Sequence, residues 1–377
     1  MNKKSLLLGT SALVTAAFVG TSAMAGQVGS KDAMSVTLGG EFRFIVGFTD
    51  QDVSAGYGRG YEFHGDEVEV FVNASNTAEN GLEYGVSIEL NGGGSDATAA
   101  DEAWAYIESA QWGRVEMGDQ DDATDRMYVE SDDILVGRAG PDGDQADFFQ
   151  FGGAIAATGN TVTGDATKLI YFTPRFAGFQ LGGSLTPDTG VDSGTADLFG
   201  ETDNDGDFEN VFGLGINWEG SYDEIGIILS LTGEFGDGES ASGANNVGDV
   251  ETISVGGVVT YGGFGFGAGY VDFAEQGIAN AAQAGGADAG QYWTVGASYQ
   301  TGPYGVSLNW FESSRDNAAG IADTDVEIIS LDANYVVSAG WDLSAALHLI
   351  EADNINGNAA NTNNEGTVFL ISNNFAF

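Results

Sequence analysis

Apolar and polar residues alternate along much of the chain, and a period of two predicts β-strands. In segment 36–48, one side is apolar and the other carries Thr37, Glu41 and Arg43. Three further segments alternate in the same way: 82–90, 225–235 and 341–349. A soluble sheet and a membrane barrel both show this pattern, so the connections between the strands must separate the two classes.

Short turns and long polar stretches follow one another in strict alternation. The short turns lie at 80–81, 111–113, 174–178, 219–221, 262–263, 301–303 and 339–340. The long stretches are 49–59, 91–100, 119–166, 188–207, 237–248, 275–290, 316–322 and 353–364. These connections join 16 strands and leave both termini on the short-turn side, as in outer-membrane barrels. A soluble sandwich has no reason to sort its connections by length.

Aromatic residues concentrate near the predicted strand ends, as the interfacial girdles of a membrane barrel require. They are Trp104, Tyr106, Trp112, Trp218, Tyr222, Tyr261, Phe264, Trp293, Tyr304, Trp310 and Trp341. Beyond the N-terminus, no stretch holds the ~18 uninterrupted apolar residues of a spanning helix. We therefore predict an all-β fold, a 16-stranded antiparallel transmembrane β-barrel.

The first 25 residues predict a cleaved signal peptide. Lys3 and Lys4 precede an apolar run over 6–19, and Ala23-Met24-Ala25 forms a cleavage site. The barrel domain then covers 26–377, and the protein leaves the cytoplasm.

The exported chain is strongly acidic. Loss of Lys3 and Lys4 from 11 basic residues leaves nine against 56 acidic ones, a net charge of −47. Such a charge excludes nucleic acid as a partner and attracts cations. The chain has no cysteine, so neither disulfides nor thiolate metal sites contribute.

Seven glutamates on the polar faces of predicted strands indicate a water-filled interior. They are Glu41, Glu67, Glu69, Glu83, Glu89, Glu116 and Glu234. Carboxylates facing lipid would be costly, whereas a wide aqueous lumen accommodates them. A small barrel would instead pack its interior with side chains.

Three segments resemble the porins of Gram-negative bacteria. The chain ends in a strand with a terminal aromatic residue, Phe377, and 35–44 resembles the first strand of these porins. The "Gly-basic-x-x-x-Gly" segment 113–118 is similar to the strand that leads into their third loop, and with Asp121-Asp122-Ala123 the likeness is greatest to alphaproteobacterial, Rhodobacter-type porins. The resemblance implies a homotrimer of passive channels in the outer membrane, among its lipid and lipopolysaccharide.

The resemblance also implies that loop 119–166 folds into the lumen and narrows the pore. Its acids are the predicted constriction: Asp121, Asp122, Asp125, Glu130, Asp132 and Asp133. The predicted pore wall consists of Glu41, Arg43, Glu67, Glu69, Glu83, Glu89, Arg114, Glu116 and Lys168, with Arg59 a further basic candidate. Because acids outnumber bases here, we predict a preference for cations.

Calcium is a second expectation, although no cofactor is required. Segment 201–207 follows an EF-hand loop in part, with Asp203, Asp205 and Asp207, but the twelfth position is Phe212 where that motif needs glutamate. The sequence therefore predicts at most a looser calcium site at an external acidic loop. Asp142, Asp144 and Asp147 are equal candidates.

Enzymatic chemistry is not predicted. The chain has two histidines, and Ser344 lies too far along an extended strand from His348 to bond it. The leading hypothesis is a cation-preferring diffusion channel for small hydrophilic solutes and ions. The alternatives are a solute-specific porin, a calcium-dependent structural barrel with a closed lumen, a barrel-embedded hydrolase and a soluble calcium-binding β-protein.

Overall fold

The computed structural model describes residues 34–52, 60–92, 100–140, 143–151, 159–190, 206–239, 247–355 and 363–377. These residues form one antiparallel sheet of 16 strands that closes into a barrel, with β1 paired to β16. Phe377 completes the closure, because its backbone exchanges hydrogen bonds of 2.9 and 3.0 Å with that of Gly40. The predicted strand number, order and closure are therefore confirmed.

The strands in chain order are β1 Ser35–Gln51, β2 Tyr61–Thr77, β3 Glu83–Asn91, β4 Ala103–Ser109, β5 Gly113–Asp119, β6 Thr167–Phe172, β7 Phe179–Asp188, β8 Phe208–Tyr222, β9 Ile225–Gly238, β10 Val250–Tyr261, β11 Phe264–Asp272, β12 Gln291–Thr301, β13 Tyr304–Arg315, β14 Thr324–Ser338, β15 Trp341–Asp353 and β16 Asn364–Ala376. Two short helices, α1 Ala123–Met127 and α2 Asn280–Gln283, lie in loops. Within the described ranges, we find no helix that is both long and apolar enough to cross a membrane.

Burial alternates along each strand and separates an outer from an inner face. In β13, Val306 and Leu308 are about half exposed, whereas Ser307 and Asn309 between them are almost fully buried. Apolar side chains thus point outward to the lipid and polar ones inward, as a membrane barrel requires.

Two sequence predictions were wrong in detail. The turn placed at 219–221 lies inside β8, and the hairpin instead turns at Asp223-Glu224. Asp223 adopts a positive φ of 53°, a conformation that a short polar residue tolerates, so no glycine marks this turn. Trp104 and Tyr106 belong to no girdle, because they share the inner face of the barrel with Arg114.

A β-bulge changes the inward face of β2. Glu67 has a φ of 39°, and the pairing with β1 shifts between Phe42 and Arg43. Because one extra residue reverses the side-chain alternation, Asp66 rather than Glu67 lies opposite Arg43. Near its long-loop end, β2 therefore directs the carboxylate of Asp66 into the barrel, although strict alternation assigns Asp66 to the lipid side.

Candidate functional site: the third loop and the inner wall

The third loop lies flat against the inner wall and follows it around the barrel. Side chains of successive wall strands accept hydrogen bonds from the backbone N–H groups of the loop. Val129 N donates to Ser230 Oγ of β9 (2.9 Å), Val136 N to Ser307 Oγ of β13 (2.6 Å), Arg138 N to Asp332 Oδ2 of β14 (2.5 Å), and Gln150 N to Gln51 Oε1 of β1 (3.0 Å). The described part of the loop thus forms an inner hoop over β7 to β1. Among the described residues, the loop meets the wall of β2 to β6 near its two ends and at Asp147, which lies 3.2 Å from His64 of β2. We call the wall of β2 to β6 the uncovered wall.

Wall glycines make room for this hoop. A Cβ atom at Gly256 would collide with Val129 O, one at Gly267 would stand 2.7 Å from Ser131 Cα, and one at Gly47 would enter the Phe148 ring. Further glycines lie against the loop at Gly182, Gly215, Gly296 and Gly305. Small residues on the inner face therefore let the loop backbone approach the sheet closely.

The second half of the described loop packs on apolar wall residues. Phe148, Phe149 and Phe151 are buried against inward-facing side chains of β1 and of β11 to β16. The wall members of this cluster are Ile45, Val271, Tyr292, Phe311, Val326, Ile328, Ala346, Ile350, Ala352, Val368 and Leu370. Burial of this apolar area stabilises the loop in place.

Asp122 holds the start of helix α1 and does not line an open passage. Its carboxylate is fully buried and accepts hydrogen bonds from Thr124 N (2.8 Å) and Asp125 N (2.9 Å), the N-cap arrangement, and from Ser184 Oγ of β7 (2.9 Å). The predicted constriction role is thus not supported at this position, because the side chain is turned into the interface between loop and wall.

We expect Asp122→Ala to destabilise the protein by about 1–2 kcal/mol, since it removes the helix cap and leaves buried donors unpaired. Thermal unfolding in detergent, followed by circular dichroism, measures the change. Asp121→Ala is the matched control, because the neighbouring residue does not cap the helix. Equal midpoints for the two variants would contradict the capping role.

The other predicted constriction acids divide into two groups. Asp121, Asp125, Asp132 and Asp133 are partly exposed on the loop. Glu130 is buried, with Tyr128 Oη at 3.2 Å and Tyr292 Oη at 3.3 Å from its carboxylate. Burial raises the pKa of Asp133 to about 6 and the pKa of Glu130 well above its usual range. We infer that Glu130 anchors the loop rather than attracting ions.

On the uncovered wall, carboxylates form a continuous row from β1 to the ends of the third loop. Glu69 of β2 lies beside Glu89 of β3. A carboxylate oxygen of Glu69 comes within 4.8 Å of carboxylate oxygens of Glu41, Glu67, Glu89 and Asp101. The row continues with Glu102, whose oxygens lie equally close to those of Asp121 and Asp165. Sequence reasoning missed Asp101, Glu102 and Asp165, because they lie just outside strands, where alternation carries no information.

Arg43 stands at the β1 end of this row. Its guanidinium contacts Asp66 at 2.6 Å, Glu67 at 3.5 Å and Glu41 at 4.0 Å. Three carboxylates around one cation leave a negative excess. Arg138 of the loop is also paired, with Asp144 at 2.8 Å.

Arg114 lies at the other end of the row and pairs with Glu108 at 3.1 Å. Glu116 is fully buried and contacts both Arg114 and Arg126.

The third loop also covers Lys168 and Glu234. Lys168 donates to the backbone carbonyls of Gln120 and Gly164, and Glu234 accepts from Val162 N (2.6 Å). Of the predicted wall residues, Glu116, Lys168 and Glu234 are therefore buried, and Glu69 is buried as well, at 8% exposure. Glu83 is exposed near the short-turn rim.

Only three of the predicted calcium ligands, Asp144, Asp147 and Asp207, lie among the described residues. Asp142, Asp203 and Asp205 lie outside the described residues, as do Arg59 and the predicted signal peptide. Asp144 pairs with Arg138, Asp147 lies 3.2 Å from His64, and Asp207 is in a different loop. Calcium binding stays a prediction.

One serine–histidine contact exists that spacing along a strand does not reveal. Ser330 Oγ lies 2.8 Å from His348 Nδ1 across the β14–β15 pair, whereas Ser344 is four residue pairs away. Both partners are almost fully buried, at 1% and 0% exposure. The pair is thus closed to a substrate in this arrangement.

Comparisons with solved structures agree with the fold. An anion-selective porin from Comamonas acidovorans superposes with a TM-score of 0.61 at 15% identity, over 91% of this chain and 100% of that one. A mutant porin of Rh. blastica gives 0.55 at 17% identity, with the same coverage of both chains. At these identities the likeness concerns the fold alone.

Two curated relatives are uncharacterised proteins. One, from Rickettsia felis, is 25% identical over 297 residues, which are 62% of this chain and 66% of the relative. The other, from Rickettsia conorii, is 26% identical over 216 residues, 46% of this chain and 48% of the relative. The matched regions thus span less than two thirds of either relative's length.

A family model described as Gram-negative porin matches residues 9–375, nearly the whole chain. The match agrees with the closed 16-stranded barrel. The chain belongs to the family of Gram-negative porins.

Proposed function

We propose that this protein is a passive outer-membrane channel that lets small hydrophilic solutes cross and prefers cations. The observation that carries the proposal is the row of carboxylates on the uncovered wall, from Glu41 through Glu89 to Asp121. The neighbouring arginines, Arg43, Arg114, Arg126 and Arg138, are all paired with carboxylates. A narrow passage with surplus negative charge concentrates cations and repels anions.

Planar-bilayer recording tests the channel itself. Purified full-length protein should insert in discrete current steps, and proteoliposomes should swell in D-arabinose. Protein that inserts without current would favour the alternative of a structural barrel with a closed lumen.

The cation preference should depend on pH. Partial burial and nearby acids raise the pKa of Glu102 to about 7, and burial raises that of Asp133 to about 6; both lie outside the strands. A carboxyl group with a raised pKa carries its charge only above that value, so we expect the K⁺/Cl⁻ permeability ratio to fall as the pH drops from 8 to 5. Reversal potentials at the two pH values measure the change.

Glu102→Gln should reduce the part of this change between pH 8 and 6, because that variant has no titratable group at the site. A ratio that stays constant over the whole range in the wild type would show that these acids do not face the permeating ions.

Three short strands support an oligomer, and we propose the homotrimer of the family. β4, β5 and β6 contain 7, 7 and 6 residues. Seven residues tilted by about 45° rise only roughly 17 Å, less than the ~25 Å apolar band of a barrel. This side therefore needs protein rather than lipid beside it. Chemical cross-linking in detergent should give a trimer, and a monomer alone would contradict the proposal.

The outward face beyond the lipid supports contact with the lipopolysaccharide layer. Glu312, Glu327, Glu351 and Glu365 are direct cross-strand neighbours on β13 to β16. They stand toward the long-loop ends of these strands, on the outer face. Like charges in direct opposition repel, so this face requires cations between it and an anionic lipid layer.

A further inference from the structure

Aromatic rings of β4 and β6 alternate with the guanidinium groups of Arg114 and Arg126 where the start of the third loop meets the inner wall. Arg114 Cζ lies 4.0 Å from the ring centre of Tyr106 and 5.4 Å from that of Trp104. Arg126 Cζ lies 5.9 Å from Trp104 and 4.9 Å from Phe172. These contacts join β4, β5 and β6 to helix α1, in the order Tyr106, Arg114, Trp104, Arg126, Phe172. We call these five residues the Arg–aromatic stack.

Contacts with Glu116 and β3 hold the stack in place, and its two arginine side chains stay partly exposed. Buried Glu116 contacts both guanidinium groups, and a Cβ atom at Gly85 would stand 2.5 Å from the Tyr106 ring, so that ring lies directly on β3. The side chains of Arg114 and Arg126 keep 26% and 32% of their surface exposed. Such planar cations, already oriented by stacking and ion pairing, lose little entropy when they bind a further group.

Toward the described residues, Arg126 uses only one of its guanidinium nitrogen atoms in hydrogen bonds. Its hydrogen bonds to other described residues, Glu116 and Gln120, both use Nη1. Nε and Nη2 form one edge of a guanidinium fork, and such a fork fits a carboxylate with two parallel hydrogen bonds.

Carboxylates adjoin the same stack. Glu102 Oε2 accepts a hydrogen bond from Trp104 Nε1 (3.2 Å), and Glu102 Oε1 lies 3.4 Å from Asp121 N. Asp121 and Asp165 bring their oxygens within 4.8 Å of those of Glu102. A negative group of three acids thus adjoins Trp104, over whose ring both guanidinium groups lie.

We propose that the Arg–aromatic stack and Glu102 form a solute subsite for small zwitterions, molecules that carry one ammonium and one carboxylate group, such as amino acids. The carboxylate of the solute binds Arg126, with Arg114 beside it. The ammonium group binds Glu102 and Asp121. The solute reaches from the guanidinium groups over the Trp104 ring to the acids at the indole Nε1 edge of that ring.

The charge arrangement selects zwitterions over other solutes of the same size. A simple anion is repelled by the carboxylate row, and a simple cation gains nothing from the arginines. A neutral sugar has no full charge with which to bind either the arginines or the acids. This inference rests on the proposed passive channel and adds the class of solute that passes most readily.

Proteoliposome swelling with L-glutamine and D-arabinose, two solutes of similar size, tests the subsite. In the wild type, the initial rate should be higher for glutamine than for arabinose. Arg126→Gln should lower the glutamine-to-arabinose ratio by about tenfold, the effect of losing one charged hydrogen-bonding partner. Arg126→Lys keeps the charge without the fork and should fall in between. Arg175→Gln is the matched control, because Arg175 lies at a short turn beside Gly178 and Gln180.

Glutamine that enters wild-type liposomes no faster than arabinose overturns the subsite, and this measurement does not depend on the folding of any variant. An unchanged ratio in Arg126→Gln, with normal arabinose entry, also overturns it and leaves the proposed channel intact. Wild-type liposomes that admit neither solute would instead contradict the channel.

Discussion

Replacing Glu69, Glu89 and Glu102 together by glutamine is expected to lower the K⁺/Cl⁻ permeability ratio by about tenfold. A unit charge about 5 Å from a permeating ion contributes roughly 1 kcal/mol at an effective dielectric constant near 60, and salt screens part of this. These three residues form the middle of the carboxylate row, and no arginine lies within 4 Å of them among the described ion pairs. Reversal potentials in a KCl gradient measure the effect.

The matched control is the triple variant Glu312→Gln, Glu327→Gln, Glu351→Gln. It removes the same charge from the outer face of β13, β14 and β15, where these residues are direct cross-strand neighbours. If the two triple variants change selectivity equally, the preference comes from overall charge and not from the inner row.

Gly256→Val is expected to reduce the single-channel conductance by about half, because a side chain wedged between wall and loop pushes the loop into the passage. A Cβ atom at Gly256 would collide with Val129 O, which is backbone and has no rotamer to change. The stability should fall by about 1–3 kcal/mol, as for other overpacked sites.

Gly183→Ala serves as the control for this prediction. Gly183 faces outward, and its nearest neighbour would be Leu214 Cδ2 at 3.5 Å, an ordinary contact. An unchanged or larger conductance in Gly256→Val would contradict the position of the loop against β10.

The barrel could be predicted from the sequence because both of its signals are local. Alternation reports which side of a strand meets lipid, and connection length separates the two rims. Both signals depend on segments of a few residues. The turn at Asp223-Glu224 was missed because aspartate took a position where glycine was expected.

The contents of the lumen could not be predicted in the same way. The third loop adds an inner layer, so inward positions such as Phe311 and Ile350 are apolar because they contact Phe148, Phe149 and Phe151 rather than water. The loop likewise covers Lys168 and Glu234. Apart from those of Lys168, these contacts join residues more than 50 positions apart, and no periodicity within a strand reports them.

The candidate site shows the same limit. The sequence identified Glu41, Glu69 and Glu89 as inward-facing, but the bulge at Glu67 brings Asp66 rather than Glu67 opposite Arg43. Trp104 and Tyr106 were assigned to a lipid girdle because their position near a strand end fits one. Their contact with Arg114 and Arg126 depends on the neighbouring strand and on the loop.

The reversal potential of single wild-type channels in a tenfold KCl gradient at pH 8 tests the central claim most directly. We predict a large potential of the sign that cation flow produces, approaching the ~59 mV limit of a channel permeable to cations alone. A potential near zero, or one of the opposite sign, would show that the carboxylate row does not govern the passage.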